Sequence, residues 1–132
     1  MELMKLSIPT GWVIFDNKFF DVEPIPESSG FISNFYAGFV EDVLWLESVF
    51  DKENISKVNY WSIDLSWLPD SRIEGFYYLR LFWCSKNNME LIEELETKSR
   101  FEIREKLEFW LNDISSNYSI RLNKMLEIYG NG

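Results

Sequence analysis

Asp42, Glu47 and Asp64 are the residues of this chain best suited to chemistry, with Trp45 beside Glu47 and Trp67 beside the turn that follows it. Two carboxylates held ~5–10 Å apart can cleave a glycosidic bond, one as acid and the other as base or nucleophile. Tryptophan rings would stack on the sugar. Nothing in the spacing of the three acids brackets a particular pair, so the alternative of a small carboxylate- and aromatic-based carbohydrate-binding protein or hydrolase stays open. Other chemistries are closed off. The chain has no histidine, which removes Ser-His-Asp and Cys-His catalysis and imidazole metal sites. One cysteine, Cys84, makes neither an internal disulfide nor a multi-cysteine zinc site. At the end of an apolar strand its expected role is that of a small core hydrophobe. The glycines match neither GxxxxGK[ST] nor GxGxxG. The stretch Asp51-Lys52-Glu53-Asn54 lacks the spacing and downstream acid of a calcium loop, so a plain turn is expected. These readings favour a binding protein over an enzyme, with no cofactor, metal ligand or catalytic residue assigned.

Composition points the same way. The formal net charge is −9 and 23 residues are aromatic. The acidity is lopsided: residues 1–66 hold eleven acids and four bases, residues 67–132 eleven acids and nine bases. Polyanionic nucleic acid and anionic membrane surfaces are disfavoured as partners, and a basic protein is favoured. With 46% hydrophobic residues, the charge does not signal disorder. The length of 132 residues fits a single domain, 1–132. No apolar run approaches the ~20 residues needed to span a bilayer. The N-terminus is too short and polar for a secretory signal, which points to the cytoplasm.

The elements that must position these residues are legible in part. Residues 11–23 read as two short strands about the turn pair Asp16-Asn17. Pro24, Pro26, Ser28, Ser29 and Gly30 mark a loop, and 31–42 reads as loop or short helix. Residues 43–50 read as a strand, with Leu44, Leu46 and Phe50 on one face. Between 58 and 84 the alternation is strongest. Trp61, Ile63, Leu65 and Trp67 share one parity, as do Tyr77, Leu79, Leu81 and Trp83. A hairpin pairing residues whose numbers sum to 144 matches every apolar position. It sets Asp64 opposite Arg80, where an ion pair is the expected role of Asp64. Residues 88–96 read as a short helix or an irregular acidic connection. Ser99 with Glu102 forms a capping box. Ile103, Leu107, Trp110, Leu111 and Ile114 then recur at helical spacing. A second stripe, Tyr118, Leu122, Met125, Leu126 and Tyr129, ends at Gly130. The fold class expected is α+β: an antiparallel sheet of four to five strands with one or two C-terminal helices packed on one face.

The order of these segments resembles a group of small bacterial immunity proteins of polymorphic toxin and contact-dependent growth inhibition systems. The matching stretches are Gly11-Trp12 with NKFFDVEP at 17–24, Glu41-Asp42 with Val43-Leu44, IDLSWLP at 63–69, GFYYLRL at 75–81, and Ser99-Arg100 leading into the helix. They cover most of residues 8–115, and 86–98 and the last helix match less well. The resemblance implies a cytoplasmic, non-enzymatic protein that binds a cognate toxin C-terminal domain, a basic one and in some systems a nuclease, and blocks it. It assigns no contact residue. From charge and aromatic placement the expected contact surface comprises Glu41, Asp42, Trp45, Glu47, Asp51, Glu53, Trp67 and Asp70. The chain would act as a monomer or weak homodimer.

Overall fold

The computed structural model describes residues 1–49 and 59–130. Phe50, the expected turn at 51–54, and the site residues Asp51 and Glu53 lie outside the described residues. Five strands form one antiparallel sheet in sequence order: β1 Trp12–Asn17, β2 Leu44–Ser48, β3 Tyr60–Leu68, β4 Phe76–Ser85 and β5 Asn88–Thr97. Two helices follow, α1 Arg100–Ser116 and α2 Tyr118–Tyr129. This is the expected α+β arrangement.

Hydrophobic alternation decides which face is buried. Leu44, Leu46, Trp61, Ile63, Leu65, Trp67, Tyr77, Leu79, Leu81 and Trp83 all turn to one side and are nearly inaccessible. The β3–β4 register runs from Tyr60 opposite Cys84 to Leu68 opposite Phe76, every pair summing to 144. The T-shaped Trp61–Trp83 pair, with centroids 5.0 Å apart, sits on this ladder. Helix α1 lies on β4 and β5 and buries Ile103, Leu107, Trp110, Leu111 and Ile114. The segment between β1 and β2 supplies most of the remaining core. Its Phe39 meets Trp67 edge-on at 5.1 Å, and its Phe19 meets Tyr77 at 5.7 Å. Within this segment, 35–37 form a single 3-10 turn. Helix α2 is more peripheral: of its stripe only Met125 is buried.

The helix ends follow from local chemistry. Ser99 Oγ accepts the Glu102 N–H at 3.2 Å, as an N-cap does. The returning half of the capping box is replaced, because the Ser99 N–H donates to Thr97 Oγ1. Gly130 ends α2 at φ +82° with its N–H on the Leu126 carbonyl.

Two expectations fail. Asp16-Asn17 is not a hairpin turn, since β1 continues to Asn17 and pairs with β2. Asn17 Oδ1 accepts the Phe19 N–H at 3.0 Å, so its turn chemistry ends the strand without folding the chain back on it. Residues 88–96 are neither helix nor irregular but belong to β5. The register shifts between Leu81 and Phe82. Leu91 therefore shares the face of Phe82, while Glu93 and Leu95 share that of Leu81 and Leu79. This break in alternation hides the strand from a parity reading. Its acidic side chains suit an edge strand, where charge discourages further pairing.

Candidate functional site

The helices cover one face of the sheet, and the opposite face carries the side chains of the other parity. Across its centre runs a row, one residue per strand: Asp16, Trp45, Asp64, Arg80 and Glu94. The neighbouring row is Val13, Glu47, Ser62, Phe82 and Leu91. A groove of about 970 Å³ lies here. Its wall includes Phe15, Trp45, Tyr60, Phe82, Asp16, Asp42, Glu47, Asp64 and, from the β4–β5 turn, Lys86. The three carboxylates that sequence singled out thus line one groove. Glu47 and Asp64 are diagonal neighbours on the β2–β3 ladder, a relationship that places Cα atoms ~7–8 Å apart.

Trp45 is exposed on this face, at 42% of its free area, as is Phe15, and the two rings stack with centroids 4.5 Å apart. Asp64 accepts the Ser66 hydroxyl at 3.2 Å. The expected Asp64–Arg80 ion pair is not the contact made. The two stand opposite on the ladder, but the Arg80 guanidinium turns to Glu94 Oε2 at 2.8 Å. Strand β5, not foreseen beside β4, supplied that competing carboxylate. Burial pushes the Asp64 carboxyl above its ordinary value, and repulsion from Asp42 and Glu41 adds to it. The Ser66 hydrogen bond and the Arg80 charge only partly oppose this.

Cys84 is buried, as expected, but beneath this open face beside Tyr60. Burial pushes its thiol up to about 11, so it stays protonated and unreactive at neutral pH. Burial likewise pushes the Tyr60 hydroxyl up to about 12.

A second groove of about 600 Å³ adjoins the first. Lys18, Phe35, Tyr36, Val40, Glu41, Asp42 and Asp70 line it, so Asp42 is shared by both. Lys18 reaches Asp16 Oδ2 at 3.2 Å and the Asp42 carbonyl at 3.3 Å. Asp70 has structural work: its Oδ2 accepts the Glu41 N–H at 2.8 Å and its Oδ1 the Ser71 hydroxyl at 2.6 Å. That clamp holds the Glu41-Asp42 corner against the β3–β4 connection.

Sequence and structure agree unevenly on the expected contact residues. Glu41, Asp42 and Asp70 are exposed around the second groove, and Trp45 around the first. Glu47 lines the first groove but is only 8% accessible. Trp67 is a correction. It points to the core, is 1% accessible, and donates its indole N–H to the Arg72 carbonyl at 2.9 Å. Its parity with Trp61, Ile63 and Leu65 dictates this, and its closeness to Asp70 in sequence is irrelevant. Phe15, Phe35 and Tyr36 are groove residues that sequence reasoning passed over. Their exposure depends on a strand bulge between Ile14 and Asp16 and on a 3-10 turn, neither of which periodicity reveals.

Among the described residues no group of acids and cysteine is placed to hold a metal ion, and no helix is long and apolar enough to cross a membrane. Comparison with known protein families, curated proteins and solved structures finds no match to this chain.

Proposed function

We propose that this chain is a non-enzymatic immunity protein, which neutralises a basic cognate toxin domain by binding it through the side of the sheet opposite α1 and α2. One observation carries the reading. The two adjoining grooves bring six carboxylates and two lysines together around exposed aromatic rings. Aromatic area supplies affinity, and unbalanced negative charge steers a cationic partner and rejects anionic ones. A toxin that acts on nucleic acid has a basic cleft, and this surface complements it. The test is co-expression with a candidate toxin domain, sought first in the genes adjacent to this one. Relief of toxicity together with a stable complex supports the reading. A toxin that binds equally well after Asp42→Lys combined with Asp64→Lys removes this surface from it.

A second reading, carbohydrate binding or hydrolysis, is favoured by the diagonal placement of Glu47 and Asp64 in one aromatic-walled groove. The raised Asp64 carboxyl would suit a general acid. Turnover of aryl glycosides that Asp64→Asn abolishes would establish it. Absence of turnover, with no sugar perturbing the Trp45 indole signal in NMR, would end it.

A further inference from the structure

The occupant of the first groove can be narrowed by what surrounds Trp45. Along its row the indole lies between Asp16 and Asp64. Asp16 is already paired with Lys18. Asp64 has the Ser66 hydroxyl, while the cation across the ladder from it is turned to Glu94. Asp42 lines the same groove and repels Asp64. The ring and the half-buried carboxylate therefore border one slot, and its charge favours a cation.

The shape selects among cations. Phe15 already stacks on the indole, and a flat cation can lie on the part of the ring left exposed while its edge faces the Asp64 carboxylate. A guanidinium does both, because it is planar, stacks on aromatic rings and presents a fork of N–H donors to a carboxylate. An ammonium offers a compact, strongly hydrated charge without the stacking plane. A divalent ion finds no ready cage among the described residues. The groove continues past the slot to Tyr60, Phe82 and the β4–β5 turn, which leaves room for residues flanking the cation.

We infer that the slot between Trp45 and Asp64 receives an arginine side chain projecting from the basic partner. This deepens the toxin-binding reading and rests on it for the source of the arginine. The local chemistry can be tested without the partner.

The probe is N-acetyl-arginine amide, titrated into the isolated, isotope-labelled full chain while the Trp45 indole N–H signal is followed by NMR. Trp45→Phe assigns that signal. N-acetyl-citrulline amide, of the same shape without charge, and N-acetyl-lysine amide serve as comparators. The arginine derivative is expected to bind roughly tenfold or more tightly than the citrulline derivative, as for a hydrogen bond to a charged group. It should also exceed the lysine derivative. Asp64→Asn, which keeps the side-chain shape, should erase the preference over citrulline, whereas Glu105→Gln on α1 should leave it intact. Equal binding of arginine and citrulline derivatives, equal binding of arginine and lysine derivatives, or a preference that survives Asp64→Asn overturns the inference. So does a magnesium titration that shifts the Trp45 signal more strongly than arginine does. A toxin complex that forms although the arginine derivative leaves Trp45 unmoved refutes the arginine slot and spares the toxin reading. The opposite pair of results refutes the toxin reading and keeps the slot.

Discussion

Arg80 stands directly across the β3–β4 ladder from Asp64, yet its guanidinium is bound to Glu94 on the far side at 2.8 Å. The side chain is turned toward Glu94, and among the described residues Asp64 has no part in its ion pairs. The pairing leaves Asp64 as the carboxylate that burial and its acidic neighbours disfavour in the ionised state.

The sign of the pH dependence follows. Folding raises the Asp64 carboxyl above its ordinary value of 3.8, so the native state binds its proton more tightly than the unfolded chain. The associated stabilisation is complete below pH 3.8 and is lost as pH rises through the higher native value. At neutral pH the Asp64 charge therefore opposes folding. Asp64→Asn should raise stability at pH 7 by on the order of 0.5 kcal/mol, the scale of a partly exposed charge. The gain should vanish in acid. Urea denaturation at several pH values measures both, and a variant less stable than the parent at pH 7 would contradict the electrostatic account.

Two tryptophans of opposite parity should separate binding from stability. Trp61 is buried against Trp83, and Trp61→Ala should cost about 3–5 kcal/mol, the range for emptying a core aromatic site. Trp45 is 42% exposed and stacks on Phe15. Trp45→Ala should cost about 1 kcal/mol of stability, while weakening partner binding severely. Chemical denaturation and calorimetric titration of the same variants give the two numbers.

Gly75 precedes β4 for a reason of space. A Cβ there would lie 2.4 Å from the Trp67 indole nitrogen and 3.0 Å from the Arg72 carbonyl oxygen. That nitrogen donates to that carbonyl at 2.9 Å, so the added methyl would wedge into the hydrogen bond. Gly75→Ala should destabilise by about 1–3 kcal/mol. In a Trp67→Phe background the penalty should shrink, because the indole nitrogen is gone, and a double-mutant cycle reads that coupling. Additive effects would show that the clash lies elsewhere.

The legible parts of this fold are those in which burial acts on alternate residues. Trp61 to Trp67 and Tyr77 to Trp83 announce both their strands and their register, since any slip of one residue would expose an entire apolar row. The α1 stripe is readable for the same reason at the helical period. Strand β5 was hidden by its bulge: Leu91 and Leu95 share parity in sequence but not in space. The site was harder to read because it depends on competition between side chains. Asp42, Trp45, Glu47 and Asp64 could be named from residue type, and the structure places all four on one groove. That Arg80 would choose Glu94 over Asp64 required knowing which strand lay beside β4.

The acidic surface makes a kinetic prediction separable from affinity. Long-range attraction acts before contact, so negative charge near the grooves should govern the association rate with a basic partner far more than the dissociation rate. Glu41 and Asp42 are exposed where the grooves meet, whereas Glu105 and Glu127 are exposed on the helices. Reversing either pair to lysine changes the net charge equally. Glu41→Lys with Asp42→Lys should slow association about tenfold or more at low salt and flatten its salt dependence. Glu105→Lys with Glu127→Lys should have a much smaller effect. Raising ionic strength from about 0.05 to about 0.5 M shortens the screening length severalfold, and should narrow the difference between the pairs. Stopped-flow association with a toxin domain that meets the proposed function provides the measurement. Equal slowing by both pairs would mean that total charge steers the encounter, and that the open sheet face has no privileged part in it.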